Sequence, residues 1–327
     1  MFGTMFENIE ILESSNDVFD VSICIVTYNH KDYIHDTLKS IFMQKTKLRY
    51  EIVIGDDMSP DGTADILKNY WEKYPDMICL LLNKKNLGLS QNLYNVFSKA
   101  KGRYLVVLYG DDYWISENKL ELEYQFLKNN TMFVGVTTPI ESIYSGESEP
   151  FRVLPLKFLW NKPNNLKKYL DGYDFPMAGV MFCADVFRDN LQHFHKMIEA
   201  CPTIDDASFC ILLLMMGDVY VIGEITAAYR CFRKEQGASN FNTINSIVQK
   251  CIKQIKLYIK LEELLEYKYN FEIRYGLILA SAFNSLRKSE ISLDEYKTII
   301  NAIDKKRKWL ILLKGLARKI EVNYRLF

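Results

Sequence analysis

Two adjacent carboxylates, Asp111 and Asp112, follow a short apolar run at residues 105–108. The run, Leu-Val-Val-Leu, is typical of a buried strand, and it reaches the acids through Gly110. The carboxyl ends of strands in open α/β sheets are where these folds bind ligands. Neighbouring carboxylates repel each other unless a cation or a donor lies between them, and oxygen ligands suit Mg²⁺ or Mn²⁺. The stretch therefore indicates either a divalent metal site or a solvated acidic turn.

Polar side chains also follow the apolar run at 21–26, in the order Thr27, Tyr28, Asn29 and His30. Apolar residues then recur every three or four positions over 34–42, which predicts a helix. Backbone N–H groups at a helix start favour a phosphate or a base oxygen. Capping of the helix explains the same residue types, so both interpretations stay open.

A second acidic pair, Asp56 and Asp57, comes directly after the mostly apolar run 51–55. The following residues have the opening spacing of a calcium-binding EF-hand loop, but Lys68 stands where that loop needs a bidentate Glu. A fourth apolar run, 78–82, leads to Asn86 and Gly88.

Helical patterns separate these runs, so the order up to Asp111 is β-α-β-α-β-α-β. This alternation predicts an α/β fold with a Rossmann-type wound, mostly parallel sheet and helices on both faces. The strand ends then gather at one edge and form a single site. The chain has neither GxGxxG after the first strand nor GxxxxGK[ST], which disfavours dinucleotide-dependent oxidoreductases and excludes P-loop enzymes.

Composition excludes other classes. The 327 residues hold 41 basic and 41 acidic side chains, so no global basic field favours nucleic acid as a partner. The seven cysteines form no CxxC pair, which predicts buried thiols in a reducing compartment. We find no signal peptide pattern and no apolar run of transmembrane length, and we therefore expect a cytoplasmic protein.

Four motifs occur in order: Val26-Thr27-Tyr28-Asn29, Asp56-Asp57-x-Ser59-x-Asp61-Gly62-Thr63, Asn86-Leu87-Gly88 and Gly110-Asp111-Asp112. In this combination, over roughly residues 20 to 235, the chain resembles the family 2 glycosyltransferases. These are inverting enzymes of the GT-A fold that move sugars from nucleotide-sugar donors. The phrase GDDYW followed by Asn118-Lys119-Leu120 resembles the bacterial branch that builds polysaccharides.

The resemblance implies a role for each matching residue. The residues that would line the nucleotide-sugar site are Thr27, Tyr28, Asn29, Asp56, Asp57, Asn86, Gly88, Gly110 and Asp112. Among them, Asp57 would accept the N–H of uracil or an equivalent base. Asp111 would be the chief ligand of a divalent metal, Mg²⁺ or Mn²⁺. The first acid of the family's DxD motif is Tyr109 here, and a neutral phenol does not replace a carboxylate.

The second half of the chain supplies the implied chemistry. Asp206 precedes an apolar helical run and matches the general base that deprotonates the acceptor hydroxyl, with Asp205 beside it. Helix capping is the compatible plainer role. Arg230 would meet a phosphate or a carboxylate, while Phe232 stands where the family often has His. A flap would hold Lys234, Gln236 and Ser239 over the donor.

Three further regions have weaker signals. His193 and His195 have a spacing that puts them on different helix faces, which favours surface or capping roles over a metal site. The irregular stretch 141–175 predicts either a mobile acceptor loop or a plain surface excursion. Residues 305–319 mix basic and apolar side chains, which fits either contact with an anionic membrane surface or a packed helix with a solvated basic face.

We therefore expect an N-terminal arm (1–17), a GT-A nucleotide-sugar-binding catalytic domain (18–240) and a C-terminal helical region (241–327) that contacts a membrane or a partner. The predicted activity is transfer of a sugar from a nucleotide-diphosphate donor, UDP in the first instance, to a saccharide or lipid-linked saccharide acceptor with inversion. Cell-surface polysaccharide synthesis at the inner face of the plasma membrane is the expected setting. The alternative is a non-catalytic GT-A domain that binds a nucleotide sugar or a partner. A sugar-nucleotide pyrophosphorylase fits the fold but would need a Gly-rich basic N-terminal loop.

Overall fold

The computed structural model describes residues 8–14, 18–155, 157–200, 206–233, 246–303 and 308–324. The strands are, in chain order, β1 (Ile9–Leu12), β2 (Val21–Thr27), β3 (Tyr50–Asp56), β4 (Ile78–Asn83), β5 (Tyr104–Tyr109), β6 (Tyr113–Trp114), β7 (Gly135–Thr137), β8 (Ile140–Tyr144), β9 (Arg152–Leu154), β10 (Lys162–Asn164), β11 (Met181–Cys183), β12 (Val219–Val221) and β13 (Ala227–Cys231). The helices are α1 (Ile34–Phe42), α2 (Thr63–Lys73), α3 (Leu89–Lys99), α4 (Lys119–Asn129), α5 (Leu166–Leu170), α6 (Ala184–Arg188), α7 (Leu191–Ala200), α8 (Asp206–Met216), α9 (Ile247–Leu264), α10 (Glu272–Arg287), α11 (Leu293–Asn301) and α12 (Lys308–Tyr324).

The chain divides into two compact units. The sheet unit comprises residues 1–163 and 175–231, and the helical unit comprises residues 164–174 and 232–327. The predicted boundary between residues 240 and 241 lies outside the described residues.

A nine-stranded sheet forms the centre of the sheet unit, in the order β1-β4-β3-β2-β5-β11-β7-β12-β10. Strands β4, β3, β2 and β5 are parallel neighbours, which confirms the wound, mostly parallel sheet expected from the alternation of apolar runs and helices. Ile23 of β2 lies opposite Ile52 on one side and Val106 on the other, and all three are fully buried. Such continuous apolar strands need cover on both faces of the sheet.

The sheet departs from parallel order beyond β5. Strand β11 is antiparallel to both β5 and β7. Strand β11 is short, because only Met181–Cys183 is extended. Gly179, with φ of 86°, precedes it and donates its N–H to the carbonyl of Val107 at 2.7 Å. Because the chain turns at this glycine, β11 begins only at Met181.

Two predictions of irregular chain need correction. Residues 9–12, inside the expected N-terminal arm, form β1, which pairs antiparallel with β4 at the sheet edge. The stretch 141–175 holds β8, β9, β10 and α5 and is not a loop throughout. β8 and β9 join β6 and β13 in a second, four-stranded sheet. These elements are too short for a periodic pattern to reveal them.

The helical unit confirms the expected C-terminal helices. In it α10 and α12 cross at Gly276 and Gly315, where a Cβ on Gly315 would lie 2.0 Å from the backbone of Gly276. Such an approach requires glycine on both helices. In α9 and α11 the caps Ser246 and Ser292 each form a capping box with the residue three positions later. Among the described residues, no helix is both long and apolar enough to cross a membrane.

Candidate active site

Four parallel strands end side by side at one edge of the sheet. β4, β3, β2 and β5 end at Asn83, Asp56, Thr27 and Tyr109, and they are neighbours in that order. The Asp57 N–H donates to the carbonyl of Thr27 at 3.0 Å, and the Gly110 N–H donates to that of Val26 at 3.0 Å. The polar residues predicted to form one site are therefore brought to one edge, as expected for ligand binding in open α/β sheets.

The Ser59, Asp61 and Thr63 side chains tie the loop after β3 to the loop after β2. Ser59 Oγ accepts from the N–H of Asn29 at 3.0 Å, and Thr63 Oγ1 accepts from that of His30 at 3.1 Å. Asp61 Oδ2 accepts from the next N–H, that of Lys31, at 3.0 Å. The DDMSPDGT motif thus works as a clamp that holds the Thr27–Lys31 loop. Sequence reasoning assigned these three residues no role, although an Asp two positions before a Thr at a helix start signals local capping.

Asp56 belongs to the same clamp. Its carboxylate accepts from the Ser59 N–H at 3.0 Å and from Ser59 Oγ at 2.5 Å. Burial raises the pKa of Asp56 above its ordinary value, and the bonds from Ser59 oppose that shift. Within the protein this acid therefore shapes the loop, and Asn29 is held in the left-handed region at φ of 59°.

Asp57 is buried and orients the loop after β4. Its Oδ1 accepts from Asn83 Nδ2 at 2.9 Å and from the Leu87 N–H at 2.7 Å, while Oδ2 accepts from the Gly88 N–H at 2.9 Å. The Gly88 N–H also lies 3.2 Å from Asn86 Oδ1. A carboxylate has about four acceptor positions, and these contacts use three of them. The contacts bring together Asp57, Asn86 and Gly88, which were predicted to share the nucleotide pocket.

His30 and Asp111 face each other across Gly110. His30 Nδ1 lies 3.2 Å from Thr27 Oγ1, and His30 Nε2 lies 3.7 Å from Asp111 Oδ2. A Cβ on Gly110 would lie 2.6 Å from Thr27 Oγ1 and 2.8 Å from His30 Nδ1, so only glycine fits between them. The sequence pattern identifies His30 only as a polar residue after β2. Its position directly after the Thr-Tyr-Asn motif is the signal that could have identified it.

Asp112 and Arg230 connect the loop that holds Asp111 and Asp112 to strand β13. Asp112 Oδ1 accepts from the backbone N–H of Arg230 at 2.9 Å. The Arg230 guanidinium donates to the Asp111 carbonyl at 3.0 Å and to Asp36 Oδ2 at 2.7 Å. It also lies over the rings of Tyr33 and Tyr113, 5.0 and 4.8 Å from their centroids. The carboxylate partner expected for Arg230 is therefore Asp36, and the cation is held beside Asp111.

The other predicted residues are placed less completely. Tyr28 follows β2 and is partly buried, and Asp206 is the first residue of α8. Asp205 and the predicted flap residues Lys234, Gln236 and Ser239 lie outside the described residues. His193 and His195 are both exposed on α7, as expected for surface residues.

Asp111 offers a single carboxylate to a metal. Within the described part of the chain, no group of three or more His, Cys, Asp or Glu could hold an ion. Magnesium-type sites commonly use one or two carboxylates and complete the shell with substrate phosphates and water. The donor set at Asp111 therefore fits a cation that arrives with a diphosphate.

Comparisons with known proteins agree with this geometry. The family model for glycosyl transferase family 2 matches residues 22–193. TuaG of Bacillus subtilis, named as a teichuronic acid biosynthesis glycosyltransferase, is 30% identical over 212 residues, which cover 64% of this chain and 78% of TuaG. Rv1520 of Mycobacterium tuberculosis, an uncharacterized protein, is 31% identical over 138 residues, or 42% of this chain. That match spans only 40% of the length of Rv1520.

Solved structures show the same fold. The crystal structure of S. aureus TarS 1-349 in complex with UDP-GlcNAc superposes with a TM-score of 0.61. The superposition covers 94% of this chain and 89% of TarS 1-349, at 16% sequence identity. At that identity the likeness shows a shared GT-A-like fold, as the sequence motifs predicted. With the family model matched across the four strand ends that build the site, the chain belongs to glycosyl transferase family 2.

Proposed function

We propose that this protein transfers a sugar from a nucleotide-diphosphate donor to an acceptor hydroxyl with inversion of the anomeric configuration, in the synthesis of a bacterial cell-surface polysaccharide. The observation that carries the proposal is the convergence of Asp57 and Asp111 at one sheet edge, between loops that the clamp residues hold in place. Support for the setting comes from TuaG, whose name refers to teichuronic acid synthesis.

Asp57 is proposed to recognise the base. Three donors already use most of its acceptor positions, and Oδ2 accepts from Gly88 alone among the described residues. That oxygen can accept one further N–H, such as the one uracil presents. Thr27 ends β2, Tyr28 and Asn29 follow it in the next loop, and Asn86 lies in the loop after β4. We therefore assign a UDP-sugar as the donor, and the UDP-GlcNAc bound to TarS supports this choice.

Asp111 and Arg230 are proposed to receive the diphosphate. The guanidinium is fixed beside the Asp111 backbone, so it places positive charge where phosphate oxygens would lie. Asp111, assisted by Asp112, would hold a Mg²⁺ or Mn²⁺ ion. A bound divalent ion would offset the charge that develops on the leaving nucleotide. Tyr109 contributes no carboxylate, so the donor's phosphates and water would supply further ligands to the metal.

Asp206 is proposed as the general base. The helix that it begins is fixed by Phe209, whose ring lies 5.5 Å from that of Phe97 and 5.3 Å from that of Phe182. A carboxylate at a helix start can take the acceptor proton as the hydroxyl attacks the anomeric carbon. Attack from the face opposite the nucleotide inverts the configuration in one displacement.

The first test measures donor use. Purified protein is incubated with UDP-, GDP- and dTDP-sugars, and both nucleotide release and UDP binding are measured. We expect release from a UDP-sugar, and we expect Asp57→Asn to weaken UDP binding by about 10- to 150-fold, because a hydrogen bond to a charged group contributes about 1.5–3 kcal/mol.

The matched control is Asp65→Asn, which neutralises an exposed acid in α2 and should leave binding unchanged. Binding without release, even with saccharide acceptors added, would favour the non-catalytic alternative that Tyr109 and Phe232 motivate. If none of the nucleotide sugars binds, the proposed function is wrong.

The acceptor is proposed to be a saccharide, either free or lipid-linked.

Helix α12 is proposed to contact an anionic membrane surface. Its residues Trp309, Leu313 and Ile320 are 64%, 51% and 60% exposed, and helical periodicity places them in one stripe. Ile311 and Gly315 on the other side of the helix are buried within the unit. Four basic residues, 305–308, come directly before the stripe in sequence. A cationic stretch that precedes an apolar, Trp-containing stripe in the sequence suits anionic lipid.

Vesicle co-sedimentation tests this contact. We expect binding to phosphatidylglycerol vesicles that weakens with salt, and an at least tenfold loss in the double variant Trp309→Ala/Ile320→Ser. Leu293→Ser is the matched control, because Leu293 is 57% exposed on α11 of the same unit. Equal sedimentation of both variants with the wild type would contradict the membrane contact.

A further inference from the structure

The side chain of His30 faces Asp111, and the proposed function gives this histidine no role. Two groups that bind one cation at about 2.1 Å lie roughly 3.0 Å apart in octahedral geometry. His30 Nε2 and Asp111 Oδ2 are 3.7 Å apart, which is too long for a good hydrogen bond and about 0.7 Å wider than that ligand spacing, so a shared cation would draw the two groups closer together. The side chains are 17% and 11% exposed, so a cation can reach both.

The surroundings orient the imidazole for this purpose. Thr27 Oγ1 lies 3.2 Å from Nδ1, and a ligating His commonly donates its other ring N–H to such a neighbour. With Nδ1–H donated to Thr27, Nε2 presents its lone pair toward Asp111. The close fit of Gly110 against Thr27 and His30 keeps the ring in this position.

The carboxylate of Asp111 is available for the same cation. The hydrogen bond that Asp111 accepts from Arg230 uses its backbone carbonyl and leaves the side chain facing His30. Position 109, where the family pattern has an acid, holds Tyr109. An imidazole on the neighbouring strand end would therefore supply a second protein ligand that the DxD position lacks here.

We propose that His30 and Asp111 together bind the divalent metal, and that the imidazole makes the site prefer Mn²⁺ to Mg²⁺. Mg²⁺ takes oxygen ligands and keeps its water, whereas first-row transition metals accept imidazole nitrogen. The inference rests on the proposed function in one respect, since the donor's diphosphate supplies the remaining ligands.

The test is spectroscopic. Mn²⁺ is added to the whole protein, alone and with UDP, and electron-spin-echo modulation is recorded for coupling to a directly bound nitrogen. We expect imidazole coupling in the wild type and its loss in His30→Ala and in His30→Gln, the second of which keeps a polar side chain near Thr27. We also expect both variants to lose at least tenfold in Mn²⁺ affinity while their affinity for Mg²⁺ changes less.

His35→Ala is the matched control, because His35 is an exposed histidine of α1 whose ring nitrogen lies within hydrogen-bond distance of the Tyr70 hydroxyl. It should keep both the coupling and the Mn²⁺ affinity. Absence of nitrogen coupling in the wild type, or coupling that persists in His30→Gln, overturns the proposal. UDP binding measured in EDTA reports on the Asp57 pocket separately, so the two proposals can fail independently.

Discussion

Replacing Lys119 with methionine is expected to destabilise the protein by about 3–5 kcal/mol, because it would leave a buried carboxylate without its cation. Lys119 and Glu123 have fully buried side chains, and Lys119 Nζ donates to Glu123 Oε1. The same ammonium donates to Thr138 Oγ1 at 3.1 Å and to the Gly179 carbonyl at 3.0 Å. Removing it therefore also releases the turn that precedes β11.

The loss should grow as the pH rises. Burial raises the pKa of Glu123 to about 7 from its ordinary 4.5, even though Lys119 lowers it. Without Lys119 the folded-state pKa lies still further above the unfolded one. A carboxyl whose pKa is raised on folding contributes stability below about pH 4.5, and this contribution is lost as the pH rises through the folded-state value. Urea unfolding of Lys119→Met should therefore show a smaller cost at pH 5 than at pH 8.

The double variant Lys119→Met/Glu123→Leu is the control. It removes the buried charge together with its partner. The double variant should therefore recover most of the lost stability, and its free energy of unfolding should depend less on pH than that of Lys119→Met. A double variant as unstable as the single one, or a single-variant cost equal at both pH values, would show that the lost charge partner is not the cause.

This ion pair also shows where sequence reasoning stops. Lys119 and Glu123 are four residues apart on α4, a spacing that normally describes a solvent-exposed helical pair. Their burial depends on Gly179 and Thr138, which come from distant parts of the chain. No local pattern contains that information.

The parallel strands of the core were predictable because each one coincides with a local run of mostly apolar residues. The runs at 21–26, 51–55, 78–82 and 105–108 are mostly apolar, with only Ser22 and Glu51 as polar members, and the structure extends each run by only one or two residues. β11 and β1 were harder, since three or four extended residues give too few alternations to distinguish a strand from a loop.

Some residues of the candidate site were also predictable from the sequence, and others were not. Asp57 and Asp111 follow strand ends, so topology alone predicts that they converge. The roles of Ser59 and Asp61 depend on which N–H groups of the neighbouring loop they meet. That choice is made by the packing of two loops 30 residues apart in sequence, and residue types do not reveal it.

Replacing Asp206 with asparagine is expected to lower kcat by about 10²- to 10⁴-fold, the usual contribution of a general base. Asparagine has the size of aspartate and keeps one side-chain oxygen that can accept from a helix-start N–H, so this change removes the charge and retains the capacity to cap. The affinity for UDP should stay unchanged, because UDP is proposed to bind at Asp57 and Asp111. A loss of kcat with unchanged UDP affinity and unchanged unfolding would thus separate base catalysis from capping.

The neighbouring acid provides the matched control for this assignment. Asp205→Asn removes a carboxylate one residue earlier in the chain and should reduce kcat far less than Asp206→Asn does. A steady-state assay with saturating UDP-sugar and a saccharide acceptor measures both variants. If Asp205→Asn has the larger effect, the base is Asp205. If neither change lowers kcat, the acceptor proton goes to a residue outside α8, and the single-displacement mechanism needs another base.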